Sequence, residues 1–291
     1  MTTTEDRPAT RPAPAQRRQR GGAGWLSGRA VALVLGALVM LFPLYWMLVT
    51  AFSGGGALTS GPLRFWPEEP TLDGFRRAFE LLPFGTFYLN SLAIAVVAMA
   101  LSVTLNLLAG YVLAKYRFRG RQAVFVVILS TLMIPVQVVM IPQFQLVAGL
   151  GWVDSYWAVI VPRAAEAFGI FLCRQFMLGI PDEVLEAARL DGAGHLRVFW
   201  SVVLPMSRPL IAVLVILTFM YRWNEFAWPL IVLNDQALFT VPIGLAFLQG
   251  EYGTDYPALM GMALLSTLPI LAVFAVFQRQ FVEGVARSGL R

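Results

Sequence analysis

The chain has 291 residues, of which 58% are hydrophobic and only 13% carry a charge. In globular proteins about a quarter of the residues are charged. The low charge and the excess of apolar side chains therefore argue against a water-soluble protein and indicate that lipid is the solvent for much of the surface. The net charge of +5 comes from arginine clusters between long apolar runs. That distribution disfavours nucleic-acid binding and is typical of membrane orientation signals.

Cysteine and histidine occur once each, as Cys173 and His195. One cysteine cannot form an intramolecular disulfide, and a zinc site needs about four nitrogen or sulfur ligands. The sequence singles out no serine or cysteine near His195 that would form a nucleophile with it. We therefore predict no catalytic residue, no metal site and no cofactor bound by this chain.

The N-terminal residues 1–29 are rich in proline, arginine, threonine, alanine and glycine, which predicts a disordered, basic cytoplasmic tail. The apolar run 31–52 is too long for the core of a signal peptide and has no cleavage site after it, so it predicts a first membrane helix. We expect residues 30–86 to hold this helix and an outer loop. Residues 87–281 should form the main transmembrane domain, and residues 282–291 a second cytoplasmic tail.

Apolar runs long enough to cross a bilayer, which takes about 20 residues in a helix, occur six times. They cover residues 31–52, 87–114, 123–148, 156–176, 206–233 and 257–279. The segments on one side of these spans hold seventeen basic residues and those on the other side hold three. The positive-inside rule then places both termini in the cytoplasm. The sequence predicts an all-α, multi-pass membrane protein with six transmembrane helices.

The outer segment after the first span contains apolar residues at helical spacing. Leu72, Phe75, Phe79 and Leu82 alternate with charged residues. This pattern predicts a short amphipathic helix. We favour packing over the ends of the membrane helices, and the alternative is direct binding of a solute.

A short polar stretch between the fourth and fifth spans predicts a capped cytoplasmic helix. Pro181 and Asp182 are favourable first-turn residues, and an acidic residue such as Glu183 is stabilised by the helix dipole. Gly192 and Gly194 are natural helix stops. Small side chains in the middle allow another surface to approach closely, and these are Ala187 and Ala188.

The same stretch opens a spaced motif. It reads Glu186-Ala187-Ala188, three residues, Gly192, nine residues, Val202, one residue, then Leu204-Pro205. This resembles the EAA-x3-G-x9-I-x-LP motif of binding-protein-dependent ABC importer permeases, with valine in place of isoleucine. The likeness covers about residues 30–291, and the chain looks like the smaller permease of the maltose-type carbohydrate uptake branch.

The resemblance implies the type I ABC importer permease fold in the bacterial inner membrane. It also implies three partners: a homologous second permease, a dimer of ABC ATPases that binds ATP and Mg, and an extracytoplasmic solute-binding protein. Residues 182–194 would form the coupling helix that contacts the ATPase. The residues implied in this coupling are Glu183, Glu186, Ala187, Ala188, Asp191, Gly192, Leu204 and Pro205. His195 and Arg197, just beyond, either contact the ATPase or belong to a solvated loop.

The chain cannot supply the nucleotide chemistry itself. A phosphate-binding loop needs the pattern G-x-x-x-x-G-K-[ST], and the one lysine, Lys115, lies between Ala114 and Tyr116. We therefore expect hydrolysis of ATP by a separate subunit.

Charged residues also occur inside two predicted spans, where each costs about 2.5–3.5 kcal/mol on insertion scales. Arg222 and Glu225 are three residues apart in span five, and Arg163 and Glu166 repeat this spacing in span four. One interpretation is a pair that neutralises itself along the helix. The other is that these residues line the translocation pathway together with Asn224 and with Trp223, whose ring would stack on a sugar.

Two other functional classes fit the sequence less well. An ion-coupled secondary transporter would show inverted repeats and glycine-broken helices, and no internal repeat is evident. A membrane-embedded hydrolase is disfavoured by the single histidine and cysteine. The cargo inferred from the resemblance is a sugar or sugar-like solute, and monosaccharides, oligosaccharides, polyols and glycerol phosphate all remain open.

Overall fold

The computed structural model describes residues 23–54, 65–67, 69–250 and 253–288. Most of the predicted N-terminal tail and the end of the predicted C-terminal tail lie outside the described residues. The chain divides after Trp46 into two compact units. The described part of the first unit is an apolar helix, and the second unit, from Met47 onward, holds every site discussed below.

The described residues form fourteen α-helices. These are α1 (Ala23–Ala51), α2 (Asp73–Leu81), α3 (Phe84–Lys115), α4 (Arg121–Ser130), α5 (Val136–Gly149), α6 (Tyr156–Ile160), α7 (Ala167–Leu178), α8 (Asp182–Leu190), α9 (His195–Val198), α10 (Leu204–Met206), α11 (Arg208–Trp223), α12 (Ala227–Val232), α13 (Val241–Phe247) and α14 (Tyr256–Ser288). Single 3-10 turns cover Thr131–Met133, Val161–Arg163 and Gln236–Leu238, and a π-helical segment covers Phe199–Val203. Two-residue antiparallel strands, β1 (Gln249–Gly250) and β2 (Gly253–Thr254), pair with each other.

Three of the described helices are long and apolar enough to cross a membrane alone: Gly28–Ala51, Phe84–Lys115 and Tyr256–Gln280. Three further apolar segments are bent pairs. Arg121–Met133 and Val136–Gly149 meet at 105°, Tyr156–Arg163 and Ala167–Leu178 at 41°, and His195–Met206 and Arg208–Trp223 at 80°. Counting each pair as one span gives six. The described residues are thus nearly all helical, with three clear candidate spans and up to six if each bent pair is one span.

Spans three, four and five are interrupted helices, in agreement with the prolines and charged residues that these spans contain. Span three breaks at Ile134, whose extended backbone has φ −91° and ψ 117°. Pro135 follows it, and a proline disfavours the helical conformation of the preceding residue. The predicted span 206–233 likewise divides, because α11 ends at Trp223 and α12 begins only at Ala227.

Helix α3 lies at the centre of the second unit and packs along both α7 and α11. Glycines permit the close contact with α7. A Cβ atom added at Gly110 would overlap the side chain of Cys173, and one added at Gly169 would overlap the amide of Asn106. This close packing brings polar side chains of α3 within hydrogen-bonding distance of the break before α7.

The amphipathic helix predicted after the first span is confirmed as α2, and it packs on α14. Its buried residues are the small Gly74 and Ala78, while Leu72 and Phe79 are more than half exposed. A Cβ atom at Gly74 would lie 2.8 Å from the carbonyl carbon of Pro257, so the small side chain is required there. The close approach thus depends on residues between the predicted apolar positions.

An ion pair also fixes α2. Arg77 Nε lies 2.6 Å from Asp255 Oδ2, and Arg77 Nη2 lies 3.2 Å from Oδ1. This two-point hydrogen bonding lowers the pKa of the Asp255 carboxyl below its ordinary value. We call this side of the molecule, around the first residues of α3, the α2 end, and the opposite side, around Lys115 and α8, the α8 end.

Candidate functional sites

The helix α8 has a defined stop at each end. Pro181 precedes it in an extended conformation, and Asp182 and Glu183 occupy its first turn. At the C-terminal end the Gly192 N–H donates to the Arg189 carbonyl and the Ala193 N–H donates to the Ala188 carbonyl, both at 3.0 Å. These two bonds form a Schellman motif, which requires the left-handed backbone of Gly192, φ +81°. Because of this stop, the helix ends at Leu190 and the predicted extent to residue 194 was too long.

One face of α8 is buried against the bundle and the other is open. Leu185 is 3% exposed and packs in the same apolar cluster as Tyr111 of α3. On the open face Leu190 is 89% exposed, and the nearby Leu196 is 71% exposed. Of the predicted coupling residues, Ala188 and Leu204 are half-buried, and those that are exposed are Glu183, Glu186, Ala187, Asp191, Gly192 and Pro205.

Two consecutive residues at the C-terminal end of α3 contact the segment that carries α8. The Lys115 ammonium donates to the Ile180 carbonyl at 2.5 Å and to Asp182 Oδ1 at 2.6 Å. This hydrogen bond, with the positive charge of Lys115, lowers the pKa of the Asp182 carboxyl. The Tyr116 hydroxyl is hydrogen-bonded to His195 Nδ1 at 2.9 Å. Sequence reasoning considered Lys115 only as a nucleotide-binding candidate and missed this contact.

The second half of the spaced motif lies in irregular helix. The π-helical segment Phe199–Val203 precedes α10, which begins at Leu204 and contains Pro205. The axis then turns by 80° into α11. π-Helical turns are uncommon and are frequent at functional sites. The motif therefore spans the exposed helix α8 and the bend that leads into the bundle.

A cluster of four charges lies where the break of span four meets the end of α11. The Arg222 guanidinium donates to the Glu166 carboxylate, to Glu225 Oε2 at 3.1 Å and to the Arg163 carbonyl at 3.0 Å. Arg163 Nη2 lies 3.4 Å from Glu225 Oε1. The side chain of Arg222 is fully buried and that of Glu225 is 8% exposed, whereas that of Glu166 is 31% exposed. The cluster is neutral overall, and Glu166 is its most accessible member.

Asn106 of α3 holds the same break from the other side. Its Oδ1 accepts the Glu166 backbone N–H at 3.0 Å, and its Nδ2 donates to Ser102 Oγ at 3.3 Å. Asn106 is 1% exposed, so a buried amide supplies the acceptor for this backbone donor. The sequence signal for this residue was a lone amide inside an apolar run.

The two remaining pathway candidates have different surroundings. Trp223 is 2% exposed, its Nε1 donates to the Ser266 carbonyl at 2.9 Å, and its ring stacks on Phe219 with centroids 5.8 Å apart. The Trp223 ring is therefore covered in this conformation. Asn224 is exposed, and its amide donates to the Met220 carbonyl at 2.8 Å.

The residue types that hold metal ions are dispersed over the described part of the chain. No group of three or more His, Cys, Asp or Glu side chains in this part of the chain is arranged to hold a metal ion. Cys173 of α7 is a buried free thiol that packs against Gly110 of α3.

Comparison with known proteins places these features in context. Residues 106–287 match the family described as "Binding-protein-dependent transport system inner membrane component". The chain is 37% identical to the arabinooligosaccharides transport system permease protein AraQ of Halalkalibacterium halodurans, over 92% of this chain and 96% of that protein. It is 35% identical to the sn-glycerol-3-phosphate transport system permease protein UgpE of Yersinia enterocolitica, over 89% of this chain and 95% of that protein.

Two solved structures share the fold. One is a chain of a bacterial ABC transporter involved in the import of the acidic polysaccharide alginate, with a TM-score of 0.78 and 25% identity over 93% of this chain and 100% of that chain. The other comes from a bacterial alginate ABC transporter in complex with an alginate pentasaccharide-bound periplasmic protein. It has a TM-score of 0.62 and 14% identity over 87% of this chain and 92% of that chain, which shows the fold alone.

Proposed function

The chain belongs to the family of binding-protein-dependent transport system inner membrane components, and on that premise we propose that it imports a sugar or sugar-like solute with energy from a separate ATPase. Its relatives are permease proteins of transport systems, so the chain is a non-catalytic, membrane-embedded transport subunit. The proposal adds the cargo, the energy source and the residues that connect them.

The observation that carries the proposal is the open face of α8. This face combines small, acidic and apolar side chains, with Ala187 and Glu186 in its middle and Leu190 at its end. Exposed apolar side chains that adjoin charged ones are typical of a protein–protein contact. The helix is rigidly stopped at Gly192, and it connects through the bend at residue 207 to α11. A displacement of α8 by an ATPase is therefore delivered to membrane helices.

The proposed orientation places the α8 end in the cytoplasm. The basic residues around this end, including Arg117, Arg119 and Arg121 after α3, satisfy the positive-inside rule there. Both termini then lie in the cytoplasm, and α2 lies at the outer surface. This orientation requires six crossings, with each bent pair counted as one span.

The proposed cargo follows from the relatives. Their names specify arabino-oligosaccharides and glycerol phosphate, and the related structure imports alginate. All of these are polyhydroxylated solutes, and we infer that this chain carries a member of the same chemical class. The proposed partners are a second permease, an ATPase dimer that binds ATP and Mg, and an extracytoplasmic binding protein that delivers the solute.

We assign the cluster of Arg163, Glu166, Arg222 and Glu225 to the wall of the translocation pathway. Charged groups in a membrane bundle face a partner or a water-filled cavity, and here they face each other. Glu166 is the member with the largest exposed fraction, so it is the group closest to a passing solute. Asn224 is exposed beside the cluster, whereas Trp223 contributes as packing in this conformation.

Site-directed crosslinking tests the proposal. A cysteine-attached photo-crosslinker at Ala187 should capture an ATP-hydrolysing protein from the native membrane, identified by mass spectrometry. Leu72→Cys, at the α2 end, is the matched control and should capture no ATPase. The native Cys173 is buried, so the parent chain provides the background.

The same two cysteines test the orientation. A membrane-impermeant maleimide added to intact cells should label Leu72→Cys and leave Ala187→Cys unlabelled until the membrane is opened. Labelling of Ala187→Cys from outside, or the absence of any ATP-hydrolysing protein in its crosslinks, contradicts the proposal. Uptake of a labelled arabino-oligosaccharide by the purified chain alone in a proton gradient would favour an ion-coupled secondary transporter instead.

A further inference from the structure

Helix α3 contacts both ends of the segment that carries α8. Lys115 binds the first turn of α8, through Asp182, and the carbonyl of Ile180 just before it. Tyr116 binds His195, the first residue of α9, beyond the stop of α8. The whole of α8 therefore lies between two hydrogen-bonded anchors that come from consecutive residues.

The Lys115 anchor is electrostatically favourable on both sides. Its ammonium lies in the last turn of α3, where the helix dipole favours a cation, and its acceptor Asp182 lies in the first turn of α8, where the dipole favours an anion. The lysine side chain is 6% exposed, so protein groups replace most of its water. Loss of the ammonium would also leave the Ile180 carbonyl without this donor.

The Tyr116 anchor is fixed by its own neighbours. The Arg121 guanidinium donates to the Tyr116 carbonyl at 3.2 Å, which holds the chain as it leaves α3. The Tyr116 ring contacts the ring of Tyr111 edge to face, with centroids 5.5 Å apart, and Tyr111 in turn contacts Phe199 at 5.3 Å. The Tyr116 ring also lies 5.6 Å from the ring of His195, so a row of aromatic rings joins α3, α9 and the π-helical segment.

We propose that Lys115 and Tyr116 are positioning residues that make α3 move together with the coupling helix α8, an inference that rests on the proposed function. Displacement of the open face of α8 is then passed to α3 as well as to α11. Helix α3 carries Asn106, which holds the backbone at Glu166 in the break of span four. The ATPase is in this way connected to the charged cluster through an unbroken helix.

Distance measurements between spin labels test this proposal in the assembled transporter. A label at Leu89, near the α2 end of α3, and one at Val184 on α8 report on the separation of the two helices. A second pair, Val184 with Leu146 on α5, reports that α8 moves within the bundle. All three side chains are exposed, and none takes part in the hydrogen bonds of Lys115 or Tyr116. The two states are nucleotide-free and trapped with ATP and vanadate.

For the wild-type chain we expect the Leu89–Val184 distance to stay the same in both states while the Val184–Leu146 distance shifts. In the Lys115→Met/Tyr116→Phe variant, the Leu89–Val184 distance should also shift between states, by about 2 Å or more, the scale of helix movements at such contacts. Lys115→Arg, which keeps the charge, should behave as wild type. Arg119→Met, an exposed neighbour, is the matched control.

A nucleotide-dependent Leu89–Val184 distance in the wild type overturns the proposal, and so does a constant distance in the double variant. If the double variant does not assemble, the wild-type measurement and the single variant Tyr116→Phe decide in the same way. Failure of any ATPase to copurify with the wild-type chain, or a Val184–Leu146 distance that ignores ATP, counts against the proposed function itself.

Discussion

The guanidinium of Arg222, at the end of α11, is hydrogen-bonded to the carboxylate of Glu166, in the break before α7. This bond joins two spans that are distant in sequence. Arg163 is likewise paired with Glu225 of the other span. The four charges therefore neutralise each other mainly between helices, and they fix the place where span four is interrupted.

Removal of Arg222 should destabilise the bundle strongly. Arg222→Gln leaves two carboxylates beside one remaining arginine in a buried site, and breaking a buried pair costs about 3–5 kcal/mol. Thermal unfolding in detergent should show a lower Tm than that of Arg208→Gln, an exposed arginine of the same helix. The double variant Arg222→Gln/Glu225→Gln restores neutrality and should recover part of the loss. Equal Tm values for the two single variants would refute this assignment.

Loss of the Asn106 amide should lower the stability of the chain at the break of span four without changing any charge. Asn106→Leu deprives the Glu166 backbone N–H of its acceptor, and an unsatisfied buried donor costs about 1–3 kcal/mol. Thermal unfolding in detergent measures this effect. Thr104→Val is the matched control, because its hydroxyl is exposed and bonds only to its own helix, at the Ala100 carbonyl. The idea fails if both variants lose the same stability.

The effect of a substitution at Gly192 should depend on the backbone conformation that the new residue prefers and not on its size. A Cβ atom at this position would meet no heavy atom within 4 Å, but the φ of +81° is unfavourable for most residues. Asparagine tolerates this conformation, whereas Gly192→Val or Gly192→Trp pays about 1–2 kcal/mol in strain. We expect Gly192→Asn to keep the ATPase crosslink at Ala187.

The valine and tryptophan variants should reduce this crosslink about 5–30-fold, the ratio that such an energy represents. Membrane insertion should be unaffected, which cysteine labelling at Leu72 checks. Normal crosslinking and uptake by Gly192→Trp would remove the stop of α8 from the mechanism.

The Arg77–Asp255 pair predicts an acid-sensitive contribution to the packing of α2. Its hydrogen bonds lower the pKa of Asp255 in the folded chain, so the stabilisation is present above the unfolded carboxyl pKa of about 3.9 and is lost as the pH falls through the folded value. The Tm difference between wild type and Asp255→Asn should be constant near neutral pH and shrink below pH about 4. Arg77→Gln should show the same profile. A difference that grows in acid would contradict this account.

The sequence predicted local features well because their causes are local. The start of α8 at Asp182 and its stop near Gly192 follow from proline, acidic residues and glycine within a few positions of each other. The short helix α2 follows in the same way from apolar spacing. Such signals act within one turn of the backbone, so they do not depend on how the helices pack together.

Contacts between distant segments could not be predicted in this way. The i, i+3 spacing suggested that Arg163 pairs with Glu166. In the structure Arg163 pairs with Glu225, and Glu166 pairs with Arg222. Lys115 and Asn106 show no periodic signal, and their roles depend on which helices lie beside α3. The bend angles in spans three, four and five could not be predicted either, since a proline marks where a helix can bend and not how far it bends.

Helix α3 runs without interruption through 32 residues. At 1.5 Å per residue its length is about 48 Å, well above the roughly 30 Å of the bilayer hydrocarbon. The helix is therefore long enough for both of its ends to reach the headgroup region, even when it is tilted. With the helix centred in the bilayer, the hydrogen bonds of Lys115 and Tyr116 lie outside the lipid core, and modest differences in membrane thickness leave them intact.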